Sequence, residues 1–253
     1  VTMGTNCKIK ASCGAVVVLN IDYLYMPNNL KKPTIIFDMD GTLLDLAYDD
    51  FIWNHQLPIR YAETHDCTLD QSNQALFQFY QEHNHTLNWY STRFWSAKVG
   101  LDTLALQHEF KHKVALRSGC MELLDALKAQ DYPCWIATNA DCAGLQFKLE
   151  QMQIAHYFDV IISSESIGYA KESIEFWQNL HTLHPFCLDS AYFIDDTEKV
   201  LNSAKKFGIA NLITIAQPSS KGKIRDESAY PILNHLTDLM QMLEHTEDMK
   251  KYA

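Results

Sequence analysis

Two carboxylates stand one residue apart in Asp38-Met39-Asp40-Gly41-Thr42, directly after the apolar run Pro33–Phe37. Thr138-Asn139 follows a second run, Pro133–Ala137, and Asp195-Asp196-Thr197 follows another at Ala191–Ile194. Lys171 lies in Gly168-Tyr169-Ala170-Lys171-Glu172, after the run Asp159–Ser163. Carboxylates gathered at the ends of buried strands repel one another unless a cation sits among them. Hard oxygen donors and few carboxylates are what Mg2+ prefers. An aspartate in such a setting can attack phosphorus and form an acyl phosphate, which splits a hard hydrolysis into two easier steps. A second carboxylate two residues on can protonate the leaving oxygen and then activate water. Gly41 lets the chain turn away sharply. Thr138 can donate its hydroxyl to a phosphoryl oxygen. Lys171, Mg2+ and backbone N–H groups can stabilise the charge that develops in the transition state.

These residues need a scaffold that brings three strand ends and one loop to a common rim. Five short apolar runs rich in Ile, Val, Phe and Tyr, the four above and Asn211–Ala216, read as buried strands of a parallel sheet. Helical spacing separates the later ones. Leu145, Leu149 and Met152 recur at four and three, and so do Val200, Ala204 and Phe207, with Gly208 as a stop signal. The alternation implies a doubly wound, Rossmann-like α/β fold. Residues 46–115 break the rhythm. They are rich in aromatics and helix formers and too long for a loop, so they read as an inserted helical subdomain. The expected organisation is an α/β core over 31–46 and 116–253, a helical cap over 47–115, and a final helix over about 231–246. Residues 1–30 read as a poorly ordered extension, with the natural start near Met26.

Bulk properties narrow the function classes. With 47% hydrophobic residues over 253, a packed core is expected. Lys and Arg number 21 against 31 Asp and Glu, a net charge of −10, which argues against non-specific nucleic-acid binding. The seven cysteines are scattered without a Cys-x-x-Cys pair, as reduced thiols of a cytoplasmic protein would be. The apolar stretch Ala15–Leu19 is too short to span a bilayer and lacks the marks of a signal peptide, so no membrane partner is expected. Nothing in the sequence bears on oligomeric state.

Asp-x-Asp-Gly-Thr after a first strand, then Thr, Lys and Asp-Asp in order, resembles the haloacid dehalogenase superfamily over about residues 30–220. The resemblance implies Asp38 as nucleophile and Asp40 as general acid/base. It also implies Mg2+ held by the Asp38 carboxylate, the Asp40 backbone carbonyl and an aspartate of the Asp195-Asp196 pair, with Asp196 the better direct ligand and Asp195 its support. An aspartate at position 40 sets the chain apart from the dehalogenase and transport-ATPase branches and points to phosphatases or phosphomutases. An insertion between the first two motifs resembles the helical cap type, which implies a small phosphorylated substrate.

Further segments resemble the bacterial GMP/IMP nucleotidase group. These are Asp38–Leu46, His85-Thr86-Leu87-Asn88-Trp89-Tyr90 with Trp95 nearby, Gly168–Glu172 and Phe193–Glu198. That group has Pro where Ala170 stands and Ser where Thr197 stands. The resemblance implies hydrolysis of purine nucleoside monophosphates, with Thr138, Asn139 and Lys171 at the phosphate and His85, Asn88, Trp89 and Tyr90 lining a base pocket. Plainer roles compete for several of these. Trp89, Tyr90 and Trp95 can stack on a base or form the insertion's own core. His83 and His85 fit a solvated helix turn better than a metal site, and Asp45 and Asp49 fit helix capping. The rivals for the whole chain are a sugar-phosphate or phosphoglycolate phosphatase, a phosphomutase, and a non-catalytic binding module.

Overall fold

The computed structural model describes residues 7–10, 16–19 and 32–251, with side chains over 32–245. Eight strands are described: β1 Cys7–Lys10, β2 Val16–Leu19, β3 Ile35–Phe37, β4 Cys134–Thr138, β5 Val160–Ser163, β6 Tyr192–Ile194, β7 Asn211–Ile215 and β8 Ile232–Leu233. β1 and β2 pair antiparallel. The remainder of the expected extension, residues 1–30, lies outside the described residues. The other six strands form one sheet in the order β5-β4-β3-β6-β7-β8, every pair parallel. This is the doubly wound sheet expected. The five apolar runs are its strands β3 to β7. β8 is a correction: the tail opens with a short edge strand, and its helix begins only at Asp238.

From β3 the chain steps outward to β4 and β5, then returns to place β6 on the other side of β3. Ligands bind at such reversals, outside the carboxyl ends of the strands. The reversal sets Asp38 after β3 beside Asp195 and Asp196 after β6. Hydrogen bonding locks the pair, since the Asp38 amide donates to the Ile194 carbonyl at 2.9 Å.

Between β3 and β4 the described elements are all helical. α1 (Ala47–Phe51) passes through a π-helical turn, Ile52–Gln56, into α2 (Leu57–Thr64). Pro58, which cannot donate an N–H, falls in the first turn of α2, directly after the π-helical turn. Then come α3 (Leu69–His83), a 3-10 turn Leu87–Tyr90, α4 (Thr92–Val99) and α5 (Thr103–Glu109). Local signals set these bounds. Thr68 and Gln71 form a reciprocal capping box on α3, Ser91 and Asp102 cap α4 and α5, and Gly100 ends α4 in a left-handed conformation. The core helices are α6 (Cys120–Ala129), between the insertion and β4, and, after β4, α7 (Cys142–Met152), α8 (Ser164–Ile167), α9 (Ile174–Leu183), α10 (Glu198–Phe207) and α11 (Asp238–Lys251).

Strand alternation divides the apolar residues between two faces. Ile35 and Phe37 join a cluster with Leu123, Leu127, Ile136, Leu239 and Leu243. Ile36 joins Trp135, Phe193, Phe176, Trp177 and Val200 on the opposite side. The first cluster runs on without a break into the insertion through Ile52, Leu57, Leu76, Trp95 and Val99. The insertion therefore shares a core with one face of the sheet. No helix among the described residues is long and apolar enough to cross a membrane.

Candidate active site

The strand ends deliver the expected groups to one cavity of about 390 Å³. Asp38, Asp40, Thr138, Asn139, Lys171, Asp195 and Asp196 line it together with Trp53, Tyr80, Asn84, His85, Trp89 and Tyr90 of the insertion. After β3 the backbone closes a tight turn, with the Leu43 and Leu44 amides donating to the Met39 carbonyl at 2.9 and 2.8 Å. Gly41 has φ +86°, and a Cβ there would stand 2.6 Å from Asp196 Oδ2. Both the backbone angle and the close carboxylate demand glycine.

Lys171 is the hub. Its Nζ donates to Asp38 Oδ1 at 2.5 Å and to Asp195 Oδ2 at 2.7 Å, and all three side chains are buried. Its backbone is held on both sides: its amide donates to Asn139 Oδ1 at 2.9 Å and its carbonyl accepts from Trp177 Nε1 at 2.9 Å. Thr138 Oγ1 accepts from the Ala140 amide at 3.1 Å, which leaves its hydroxyl hydrogen to donate into the cavity.

Burial acts on the carboxylates first. It pushes Asp38 up to about 7, partly offset by Lys171 and reinforced by Asp195. Asp196 is pushed to about 7 by burial and then by Asp38, and Asp195 to about 6 by burial against the pull of Lys171. Lys171 moves upward and stays protonated, because its two carboxylates outweigh its own burial. Three buried carboxylates thus crowd one ammonium that pairs directly with only two of them, while Arg225 draws on Asp196 weakly. That balance and the all-oxygen donor set fit a hard divalent cation. Asp195 has both oxygens engaged, Oδ2 by Lys171 and Oδ1 by the Thr197 amide at 2.8 Å. Asp196 accepts from Thr197 Oγ1 on Oδ1 and presents Oδ2 to Gly41, which makes it the better metal ligand of the two. No three acidic, imidazole or thiol side chains among the described residues converge on one point. A cation here would rest on two carboxylates, the Asp40 carbonyl and water, as suits Mg2+.

Three functional candidates escaped sequence reasoning. Lys148, on α7, donates to Asp40 Oδ1 at 2.7 Å and to the two oxygens of Asp49 at 2.9 and 3.0 Å. The expected capping role for Asp49 is therefore corrected: it is a partner of Lys148, whereas Asp45 does accept from the Ala47 amide at the start of α1. The sequence held a signal, since Lys148 falls three residues after Leu145 and four before Met152, on the helix's apolar stripe. Glu172, next to Lys171, has a side chain 5% exposed that accepts from Tyr90 Oη at 2.5 Å and Asn139 Nδ2 at 3.0 Å, with His85 Nδ1 at 3.3 Å. Asp141 caps α7 through Gly144 and accepts from both the amide and the hydroxyl of Thr92 at the start of α4. Two core carboxylates thus seat the insertion's 85–92 segment.

Of the insertion residues singled out in the sequence, His85, Trp89 and Tyr90 line the cavity. His85 does so from a left-handed backbone, φ +62°. Burial and the nearby Glu172 push the Tyr90 phenol upward, so it remains a donor. Trp89 packs edge-on against Tyr80 and Trp95 with centroids 5.2 and 5.8 Å away. Trp95 is 1% exposed and also lines the cavity wall, with its Nε1 donating to the Trp89 carbonyl. Asn88 is exposed and does not line the cavity.

A family model described as haloacid dehalogenase-like hydrolase matches residues 35–214. The chain is 32% identical over 210 residues to the GMP/IMP nucleotidase YrfG of Escherichia coli (strain K12), covering 83% of this chain and 95% of that protein, and equally to the Shigella flexneri protein of the same name. Among solved structures it is similar to a HAD phosphatase from Thermococcus onnurineus, with TM-score 0.70 and 18% identity over 83% of this chain and 97% of that one. It is also similar to the HAD-hydrolase YfnB from Bacillus subtilis bound to magnesium, with TM-score 0.57 and 20% identity over 84% and 99%. At these identities the two structures speak to the fold.

Proposed function

The chain belongs to the haloacid dehalogenase-like hydrolase family, and from that premise we propose a Mg2+-dependent phosphatase that hydrolyses purine nucleoside 5′-monophosphates through an aspartyl phosphate. The observation that carries the chemistry is the buried Asp38–Lys171–Asp195 cluster, with Asp40 two residues on in the same cavity. Relatedness to a GMP/IMP nucleotidase and the aromatic lining contributed by Trp53, Tyr80 and Trp89 support the purine. The thiols of Cys67, Cys120, Cys134 and Cys187 form no disulfide, which supports a reducing, cytoplasmic setting.

In this mechanism the Asp38 carboxylate attacks phosphorus while the bond to the ribose 5′-oxygen breaks, and the Asp40 carboxyl gives its proton to that oxygen. Water then attacks the phosphorus of the aspartyl phosphate. Asp40 takes the water's proton, the bond from phosphorus to Asp38 breaks, and phosphate leaves. Lys171 holds Asp38 in position and offsets charge on the phosphoryl oxygens, aided by the Thr138 hydroxyl. Asp38, Asp196 and the Asp40 carbonyl would hold Mg2+, which supplies charge neutralisation at the phosphoryl group when bound. The helical insertion serves as the cap that encloses the nucleoside.

The test is phosphate release from a panel of nucleoside monophosphates, sugar phosphates and phosphoglycolate with Mg2+ present. GMP and IMP are expected to give the highest kcat/KM. Higher values for sugar phosphates or phosphoglycolate would overturn the purine assignment, and no phosphate release from any member would overturn the phosphatase.

A further inference from the structure

Lys148 has no part in the mechanism above, yet it is among the most enclosed charges in the molecule. Its side chain is 3% exposed, against 18% for Asp40 and 20% for Asp49. An ammonium so placed is costly to bury unless every N–H finds an acceptor. Here two carboxylates face it: one N–H goes to Asp40 Oδ1 at 2.7 Å, and Asp49 accepts through both oxygens at 2.9 and 3.0 Å. The Tyr48 ring lies 5.6 Å from Nζ, and that ring is itself pinned by its hydroxyl, which donates to the Gln107 carbonyl at 2.7 Å.

The arrangement is asymmetric at Asp40. Oδ1 is taken by Lys148, while Oδ2 has no hydrogen bond among the described residues. A carboxyl that must present one oxygen first to a leaving alkoxide and then to water benefits from a fixed rotation about its terminal bond, since misplacement on the scale of an ångström is expensive in rate. Asp49 completes the geometry. It lies on α1, the helix that leads through the π-helical turn into the insertion, while Lys148 lies on core helix α7. The ion pair therefore braces Asp40 from two elements.

With Asp40 as the acid/base of the phosphatase proposed above, we infer that Lys148, braced by Asp49, is a positioning residue that holds Asp40 Oδ1 so that Oδ2 is the oxygen that exchanges the proton. Lys148 acts through Asp40 and not on the phosphoryl group. Its contribution consequently depends on how badly the leaving group needs a proton. A ribose 5′-oxygen must be protonated as it leaves, whereas p-nitrophenolate leaves as a stable anion. Both substrates need Asp40 again when water attacks the aspartyl phosphate.

Rapid-mixing kinetics on the full chain with Mg2+, comparing wild type with Lys148→Met, tests this. In the variant, p-nitrophenyl phosphate is expected to give a burst of one equivalent of p-nitrophenolate at a rate within about threefold of wild type, followed by slow turnover. Release of nucleoside from the nucleotide in the first turnover is expected to fall about 100-fold, the scale of general acid catalysis. Equal loss of the first step with both substrates would mean a merely structural role, and no loss with either would mean none; each overturns the proposal. If circular dichroism shows Lys148→Met unfolded, Asp49→Asn decides. It keeps the ammonium and removes its brace, and it should show the same selective loss at about tenfold; an unchanged nucleotide step would overturn the proposal. A wild type that hydrolyses another alkyl phosphate but no purine nucleotide fails the substrate assignment alone, and the comparison then runs on that alkyl phosphate.

Discussion

Tyr90 donates its phenolic hydrogen to Glu172 at 2.5 Å across the junction between the helical insertion and the sheet domain. Glu172 follows directly on Lys171, whose ammonium holds Asp38. The residue that seats the insertion and the residue that holds Asp38 are therefore chain neighbours. Asn139 ties them again, accepting from the Lys171 amide while donating to Glu172.

Tyr90→Phe removes one donor from the buried Glu172 carboxylate and leaves the ring in place. Losing a hydrogen bond to a charged group costs about 1.5 to 3 kcal/mol. If that cost falls on the seated position of segment 85–92, KM for the nucleotide rises about tenfold while kcat changes little. Steady-state kinetics checks this, and an unchanged KM would show that the contact does not govern substrate binding.

Gly41→Ala places a methyl group 2.6 Å from Asp196 Oδ2 and forces a side chain onto φ +86°. Either Asp196 withdraws or the turn after β3 opens. Activity is expected to fall by about 100-fold or more, with a matching loss of Mg2+ affinity measured by calorimetry. A variant that binds Mg2+ as the wild type does would show that Asp196 Oδ2 is not a ligand.

The buried carboxylates give the metal-free protein a stability that depends on pH. Asp38 and Asp196 sit near 7 and Asp195 near 6 in the fold, all above the ordinary value of 3.8. A carboxyl whose pKa is raised by folding binds its proton more tightly in the native state. Its contribution is present in full below the unfolded value and is lost as pH rises toward the folded one. Tm without metal should therefore fall as pH rises from about 4 to about 7. Mg2+ should restore it most strongly at the upper end, because ligands must shed their protons to bind metal. Thermal melts at several pH values with EDTA or Mg2+ measure both effects, and a metal-free Tm that climbs over this range would contradict the burial of these groups.

Trp95 is 1% exposed, and Trp53, Tyr80, Trp89 and Phe94 pack around it. Trp95→Ala empties the centre of the insertion and should destabilise the protein by about 3 to 5 kcal/mol, as large-to-small core changes do. Urea unfolding checks the figure, and a loss under about 1 kcal/mol would mean that the site collapses around the gap.

Much of the molecule was legible in the chain. The runs at 33–37, 133–137, 159–163, 191–194 and 211–216 all became strands of the parallel sheet, because a strand buried on both faces has to be apolar throughout. Asp38, Asp40, Thr138, Asp195 and Asp196 could be picked out because each follows such a run closely, with Lys171 in the loop beyond another, and one sheet brings the ends of parallel strands to one rim. Local chemistry was equally readable where it acts within a few residues, as at the turn of Gly41 and the stop at Gly208.

Only the tertiary structure decided the contacts that join distant positions. Lys148 meets Asp40 and Asp49 across 108 and 99 residues, and Tyr90 meets Glu172 across 82. No periodicity encodes which helix will face which loop. A buried lysine on an apolar stripe announces that it needs partners, and packing alone selects them. The same holds for Asp195 and Asp196, adjacent and chemically identical in the sequence. Their different surroundings follow from strand direction and from the reach of one lysine, which engages Asp195 and leaves Asp196 Oδ2 against Gly41.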